Sequence, residues 1–257
     1  MLAGEQRAVA EQLLTSEHPY DCCDLTIAEC LAQEPVCRLS RRLADAVCRQ
    51  VAEGHDVQRI RRALSRRARS MLSGGEEAEI DLAGVPSVGR ADAPVTVVVY
   101  ACGRCPFCSK LLPELHAAVD SGELAGTARM LMKTFPGRGH PYSSEVGLAF
   151  MAAAEQGRFW EYVLLSYTRF DEFSVDRLGE WAEAVSMERA RFERQVADPA
   201  LREALVAFKK EGIRNGVEET PAVFLNGRRF LGEVTLAELV DVINEELDRV
   251  RGLQYVE

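Results

Sequence analysis

Apolar positions along this chain change period several times, and the changes divide it into elements. Residues 4–15 put Val9 and Leu13 on one side of a helix, and His18-Pro19 ends it. A short helical stretch to Gln33 follows, broken at Pro35. Residues 36–53 repeat Val36, Leu39, Leu43, Val47 and Val51 at helical spacing. Gly54 stops that helix and Asp56 caps the next, which runs to about Leu72 with Val57, Ile60, Leu64, Ala68 and Met71 inward. Its other faces carry Arg59, Arg61, Arg62, Arg66, Arg67 and Arg69, expected as a solvated face, with an acidic partner, a membrane surface or the acidic remainder of the chain as alternatives. Ser73 to Ala78 reads as a polar linker.

Beyond the linker the period shortens. Ile80 and Leu82 suggest a short strand, and Val95 to Val99 a β-branched one. Leu111 to Val119 is helical again, and residues 128–133 form a second apolar strand closed by Phe135-Pro136-Gly137. A long helical region, about 144–212, breaks near Gly157, at Phe170–Phe173, near Ser186 and at Asp198-Pro199. Ala222 to Leu225, Asn226-Gly227 and Arg228 to Leu231 form a hairpin pattern. The last helix opens on a capping box, Thr235-x-x-Glu238, with Leu236, Leu239, Val240, Ile243 and Leu247 inward. No stretch approaches the ~20 apolar residues of a membrane span.

Charge and cysteine content sharpen this picture. The net charge of −9 argues against non-specific nucleic-acid binding. Residues 1–72 carry 11 basic and 10 acidic groups, whereas the remainder carries 20 and 30. Five of the eight cysteines (Cys22, Cys23, Cys30, Cys37 and Cys48) fall in the first fifth of the chain. The spacing of Cys23, Cys30, Cys37 and Cys48 returns to one helix face, and a small helical unit is the kind that disulfides stabilise. Structural bridges are therefore expected there, with connectivity open and one thiol left over. The opening residues are too polar for a signal peptide, while the cysteine density favours an oxidising compartment. An extracytoplasmic, periplasmic location is expected, with the signal not present in the given chain.

The chemistry concentrates at Tyr100-Ala-Cys-Gly-Arg-Cys-Pro-Phe-Cys-Ser-Lys110. Cys105 and Cys108 form a C-x-x-C pair at a strand-to-helix junction. The first turn of a helix offers unpaired N–H groups and the positive end of its dipole, which favour a thiolate. Pro106 suits an early helical position. Cys108 lies one turn on, behind Cys105, the geometry of a reversible disulfide. Cys102 adds a third thiol, either a spare redox partner or an inert buried one. The alternative reading is a thiolate copper- or zinc-binding module that joins Cys102, Cys105 and Cys108 to N-terminal thiols.

Residues 80–250 resemble the DsbA-like thiol:disulfide oxidoreductases of the thioredoxin-fold superfamily. The matching pieces are Gly89 to Val95, Cys105-Pro-Phe-Cys108, Phe135-Pro136 with His140-Pro141, Gln156 to Trp160, Gly216 to Pro221, and Asn226-Gly227-Arg228. Residues 1–75 are reminiscent of the CcmH-type helical domain, although Cys22-Cys23 does not match its C-x-x-C. The resemblance implies an α/β thioredoxin-like fold with a helical insertion over 76–257, preceded by an all-α Cys-rich domain at 1–75. It implies that Cys105 attacks, Cys108 resolves, and Thr220-Pro221 forms a cis-proline loop facing them. Thr220, Pro106 and Phe107 would meet the substrate, and Arg104 would stabilise the thiolate. Protein thiols or disulfides and a redox-recycling protein are the partners implied; contact with a membrane is left open, and no metal or organic cofactor is called for. Two departures stand out. The buried acid that thioredoxin and DsbA carry six residues before the nucleophile is Val99 here, and the glycine usual before Thr-Pro is Glu219.

Overall fold

The computed structural model describes residues 2, 4–72 and 77–253. Most of the expected linker, 73–76, and the expected boundary between 75 and 76 lie outside the described residues. In chain order the elements are α1 (Glu5–Leu14), α2 (Ile27–Leu31), α3 (Arg38–Ala52), α4 (Val57–Met71), β1 (Ser87–Val88), β2 (Val95–Ala101), α5 (Pro106–Asp120) and β3 (Ala128–Thr134). Then come α6 (Ser143–Glu155), α7 (Phe159–Thr168), a 3-10 turn (Phe170–Glu172), α8 (Arg177–Ala184), α9 (Arg189–Val196), α10 (Pro199–Arg214), β4 (Ala222–Leu225), β5 (Arg228–Arg229) and α11 (Leu236–Arg251). They form two compact units, Met1–Glu76 with Phe230–Glu257, and Glu77–Arg229. The final helix, expected in the second domain, thus packs with the N-terminal helices.

The unit Glu77–Arg229 holds a five-stranded sheet in the order β1-β3-β2-β4-β5. β2 is central, parallel to β3 and antiparallel to β4. Its continuous apolar run is explained by burial on both faces: only Thr96 is half-exposed. Val98 and Tyr100 join Leu131, Phe135 and Phe224 in one cluster, against which Ile80 and Leu82 pack. The strand expected at Ile80–Leu82 is instead an irregular segment, because side chains satisfy its backbone. Lys133 Nζ donates to the Asp81 carbonyl at 2.6 Å, Asn215 Nδ2 donates to that of Glu79, and the Asp81 N–H donates to Glu211. In the hairpin, Asn226 and Gly227 both take positive φ, at 46° and 82°, as the two-residue turn requires.

In the other unit, α1 to α4 bury Leu13, Val47, Val51 and Ile60 in one cluster and Ile27, Leu39 and Leu43 in a second. Cys22 is bridged to Cys37 and Cys23 to Cys30, leaving Cys48 as the odd thiol. The arginine face of α4 is not uniformly solvated. Arg62, Arg66 and Arg69 are exposed, but Arg67 is 1% exposed. It pairs with Glu245 at 2.8 Å and Glu238 at 3.2 Å, both on α11, and its Nε donates to the Tyr20 hydroxyl. On the same acidic face of α11, Asp241 takes Arg49, and Asp248 takes Arg38 and Arg42, at 2.6 Å for Arg42. The α11 capping box is correspondingly half-used. Thr235 accepts the Glu238 N–H, while the Glu238 carboxylate turns to Arg67.

Removing one partner of a buried ion pair leaves the other charge uncompensated. Arg67→Met therefore costs about 3–5 kcal/mol of stability in urea unfolding followed by circular dichroism. A loss below about 1 kcal/mol, the size found for exposed pairs, would show that the cluster is solvent-screened.

Candidate functional site

Cys105 is the N-cap residue of α5, with Pro106 in the first helical position, so the pair begins at the positive end of this helix. The approach from β2 is a tight turn in which the Cys105 N–H donates to the Cys102 carbonyl at 3.1 Å. Gly103 sits inside that turn because a Cβ there would come within 2.3 Å of Val146 and 3.0 Å of Phe150. The backbone is thus pressed onto α6, which fixes where the helix starts.

Cys105 has 1% of its surface exposed and borders a groove of about 640 Å³. Its thiol donates to the Thr220 carbonyl at 3.2 Å, across from the cis Thr220–Pro221 bond. The acidity of the two cysteines is split. The Cys108 thiol above all, with the Cys108 and Phe107 N–H groups and the Thr220 hydroxyl, draws Cys105 down to about 5 against the cost of its burial. Burial first, then the neighbouring Cys105, pushes Cys108 far up. One sulfur is a thiolate at neutral pH and the other keeps its proton, the division of labour that thiol exchange needs.

The other expected site residues divide between the groove and elsewhere. Phe107, 71% exposed, and Thr220 line the groove; Pro106 is exposed and Pro221 half-buried. Arg104 is a correction. Its guanidinium lies 4.4 Å from the Phe170 ring centre and 4.2 Å from that of Phe173, and it donates to the Phe170 carbonyl. Cation–π attraction and that carbonyl hold it on the 3-10 turn, and the Cys105 thiolate depends on thiol and N–H donors instead. Glu219 is exposed on the groove's rim. Val99 is fully buried, and the buried carboxylate Glu211 bonds Tyr100 and Lys133 on the opposite face of β2. Four of the five N-terminal thiols are spent in disulfides, so they supply no thiolates for the metal site considered above. Among the described residues no group of three or more metal-ligating side chains is assembled.

Residues that carry no signal near the C-x-x-C complete the groove. Lys209 and Ile213 come from α10, more than a hundred residues on, and His140 comes from the loop after β3. His140 belongs to the His-Pro pair that marks the family resemblance, but its contact is new: its Nδ1 lies 3.3 Å from the Cys102 sulfur.

The thioredoxin family model matches residues 83–245, and the chain belongs to that family. The fold is the DsbA-like thioredoxin fold. BdbD from Bacillus subtilis superposes with a TM-score of 0.57 at 19% identity, over 67% of this chain and 97% of that one. The oxidoreductase DsbA from Xylella fastidiosa gives 0.52 at 18% identity, over 67% and 90%. Among curated proteins, the Na(+)/H(+) antiporter NhaA 3 of Salinispora tropica is 35% identical over 187 residues, 70% of this chain and 28% of that one. The chain spans about a quarter of the length of the curated relatives it matches.

A thiol whose pKa falls on folding adds stability that grows with pH while only the unfolded chain still holds the proton, and that stays in full at higher pH. For Cys105 that window runs from about 5 to the ordinary thiol value of about 8.5. The reduced protein therefore gains stability over Cys105→Ser as pH rises through this window, and loses the gain as pH falls through about 5. Ultraviolet thiolate absorbance and urea unfolding across pH check this; a titration midpoint above about 8 would refute the assigned acidity.

Proposed function

We propose that this chain is a protein thiol:disulfide oxidoreductase that works through Cys105-Pro-Phe-Cys108. Cys105 forms the mixed disulfide with a substrate cysteine, and Cys108 resolves it. The observation that carries the reading is the placement of Cys105 at the start of α5, one helical turn before the buried Cys108 and facing the cis Thr220–Pro221 bond, with the acidity of the two split in the direction exchange needs. Thr220 and Pro221 stand opposite Cys105, where the main chain of Thr220 meets an extended substrate segment. Pro106 and Phe107 flank the attacking sulfur and contact the same segment.

The acidity also argues for a direction. A stabilised thiolate favours the reduced state, so the oxidised pair tends to give its disulfide away. Cys105, near 5, falls between the nucleophilic cysteines of thioredoxin, at about 7, and DsbA, at about 3.5. We assign the chain as a disulfide donor to protein thiols, recharged by a separate redox protein. An extracytoplasmic location accords with the two disulfides of the N-terminal helices. The antiport named for the curated relatives is not carried over, since it would rest on the greater part of their length, outside the match. Among the described residues no helix is long and apolar enough to cross a membrane.

Cys105→Ser abolishes exchange with a peptide disulfide; retained exchange would sink the assignment. Equilibration of the pair with glutathione, read by alkylation and mass spectrometry, gives a potential between about −270 and −120 mV, the thioredoxin and DsbA values. A potential at or below about −270 mV would make the chain a reductase instead.

A further inference from the structure

Cys105 belongs to two overlapping C-x-x-C motifs, Cys102-Gly-Arg-Cys105 and Cys105-Pro-Phe-Cys108. Cys102 and Cys105 end one tight turn, closed by the 3.1 Å hydrogen bond between their main chains. The ends of such a turn lie within about 7 Å, Cα to Cα, which overlaps the span of about 4.4–6.8 Å that a disulfide bridges. Cys102 is fully buried, and the Arg104 N–H donates to its sulfur at 3.4 Å. On its other side stands His140 Nδ1, at 3.3 Å, and His140 lines the same groove as Cys105. Burial first, and the charge of Cys105 in addition, push the Cys102 thiol up, so it rests protonated beside the His140 ring. Once Cys105 is tied to a substrate that charge is gone, and the obstacle to ionising Cys102 shrinks at the moment when attack is useful.

We propose that Cys102, with His140 as its base, is a second resolving thiol for the substrate disulfide on Cys105. The Cys102 S–H proton passes to His140 Nδ1 while the Cys102 sulfur attacks the Cys105 sulfur. A Cys102–Cys105 bond forms as the Cys105–substrate bond breaks. The substrate leaves as a thiolate and takes up the proton; the Cys102 sulfur is oxidised to the disulfide level as the substrate sulfur is reduced to a thiol, and Cys105 stays in a disulfide throughout. Cys108 stays a thiol and can attack the new bond to restore the Cys105–Cys108 pair. This gives a stalled substrate a second exit, and it rests on the reading of Cys105 given above.

The test uses the full chain and a single-cysteine peptide activated as its thiopyridyl disulfide, with loading at Cys105 mapped by mass spectrometry. Cys108→Ser is expected to load the peptide, release it, and retain a Cys102–Cys105 disulfide. Cys102→Ser in the same background holds the peptide. His140→Gln in the Cys108→Ser background leaves Cys102 in place but slows release about 100-fold or more, the contribution of a positioned base. Equal release with and without Cys102, or release that leaves Cys102 a free thiol, overturns the second exit while the reading of Cys105 stands. A Cys108→Ser chain that never loads the peptide overturns both.

Discussion

The structure is organised around where one sulfur sits: Cys105, at the residue that opens α5. A thiolate there is held by the Cys108 thiol and by N–H groups of the first turn, which have no partners within the helix. Each supporting feature acts on that position. β2 is locked between two strands and covered on both faces, so its end is fixed. Gly103 lets the turn press onto Val146 and Phe150, and the Tyr167 hydroxyl donates to the Cys102 carbonyl from the buried aromatic wall. The Thr220 loop arrives from the far end of the sheet unit to face the sulfur. Donors of this kind replace the work expected of Arg104, whose charge is engaged by two phenylalanine rings and a carbonyl.

A second constraint is charge. The acidic residues that give the chain its net −9 are not all solvated. Glu238, Asp241, Glu245 and Asp248 recur along α11 so that they share one face, and arginines of α3 and α4 meet them. Arg67, buried, bridges Glu238 and Glu245, and the Tyr20 hydroxyl completes the cluster. The last helix of the chain is thereby held to the first ones by pairs whose removal leaves buried charge behind. Lys133, Glu211 and Tyr100 repeat this logic in the sheet unit, where a buried cation is neutralised beside the cluster that covers β2.

The superposition with DsbA-like structures takes in nearly all of those chains but two thirds of this one. What is shared is thus the fold, kept at identities where few side chains coincide. That persistence is physical. A βαβ unit with a thiol at the helix start needs apolar strands, a turn and an N-terminal N–H cluster, and many sequences meet those terms. In this chain the N-terminal helices carry two bridged pairs, and the turn before α5 sets Cys102 beside His140.

The sequence by itself determined the local elements and the placement of Cys105 and Cys108 at a strand-to-helix junction. Periodicity marked α3, α4, β2 and the hairpin, because each is dictated by neighbours a few residues away. Five helices fill the region read as at least four segments, α6 to α10, and the Asn226-Gly227 turn sits where its positive φ angles demand. The resemblance carried the fold and the cis Thr220–Pro221 bond, features no local pattern specifies. Tertiary structure alone decided the rest. It left Ile80–Leu82 without strand pairing, since Lys133, Asn215 and Glu211 already satisfy that backbone. It buried Arg67, which by helical period alone is indistinguishable from its exposed neighbours, because the carboxylates that pair with it lie more than 170 residues away. It chose which cysteines bridge, set Arg104 on the rings of Phe170 and Phe173, and brought His140 to Cys102. Apart from the bridges, whose cysteines lie 15 and 7 residues apart, each of these depends on a partner distant in sequence, and no local window contains that information.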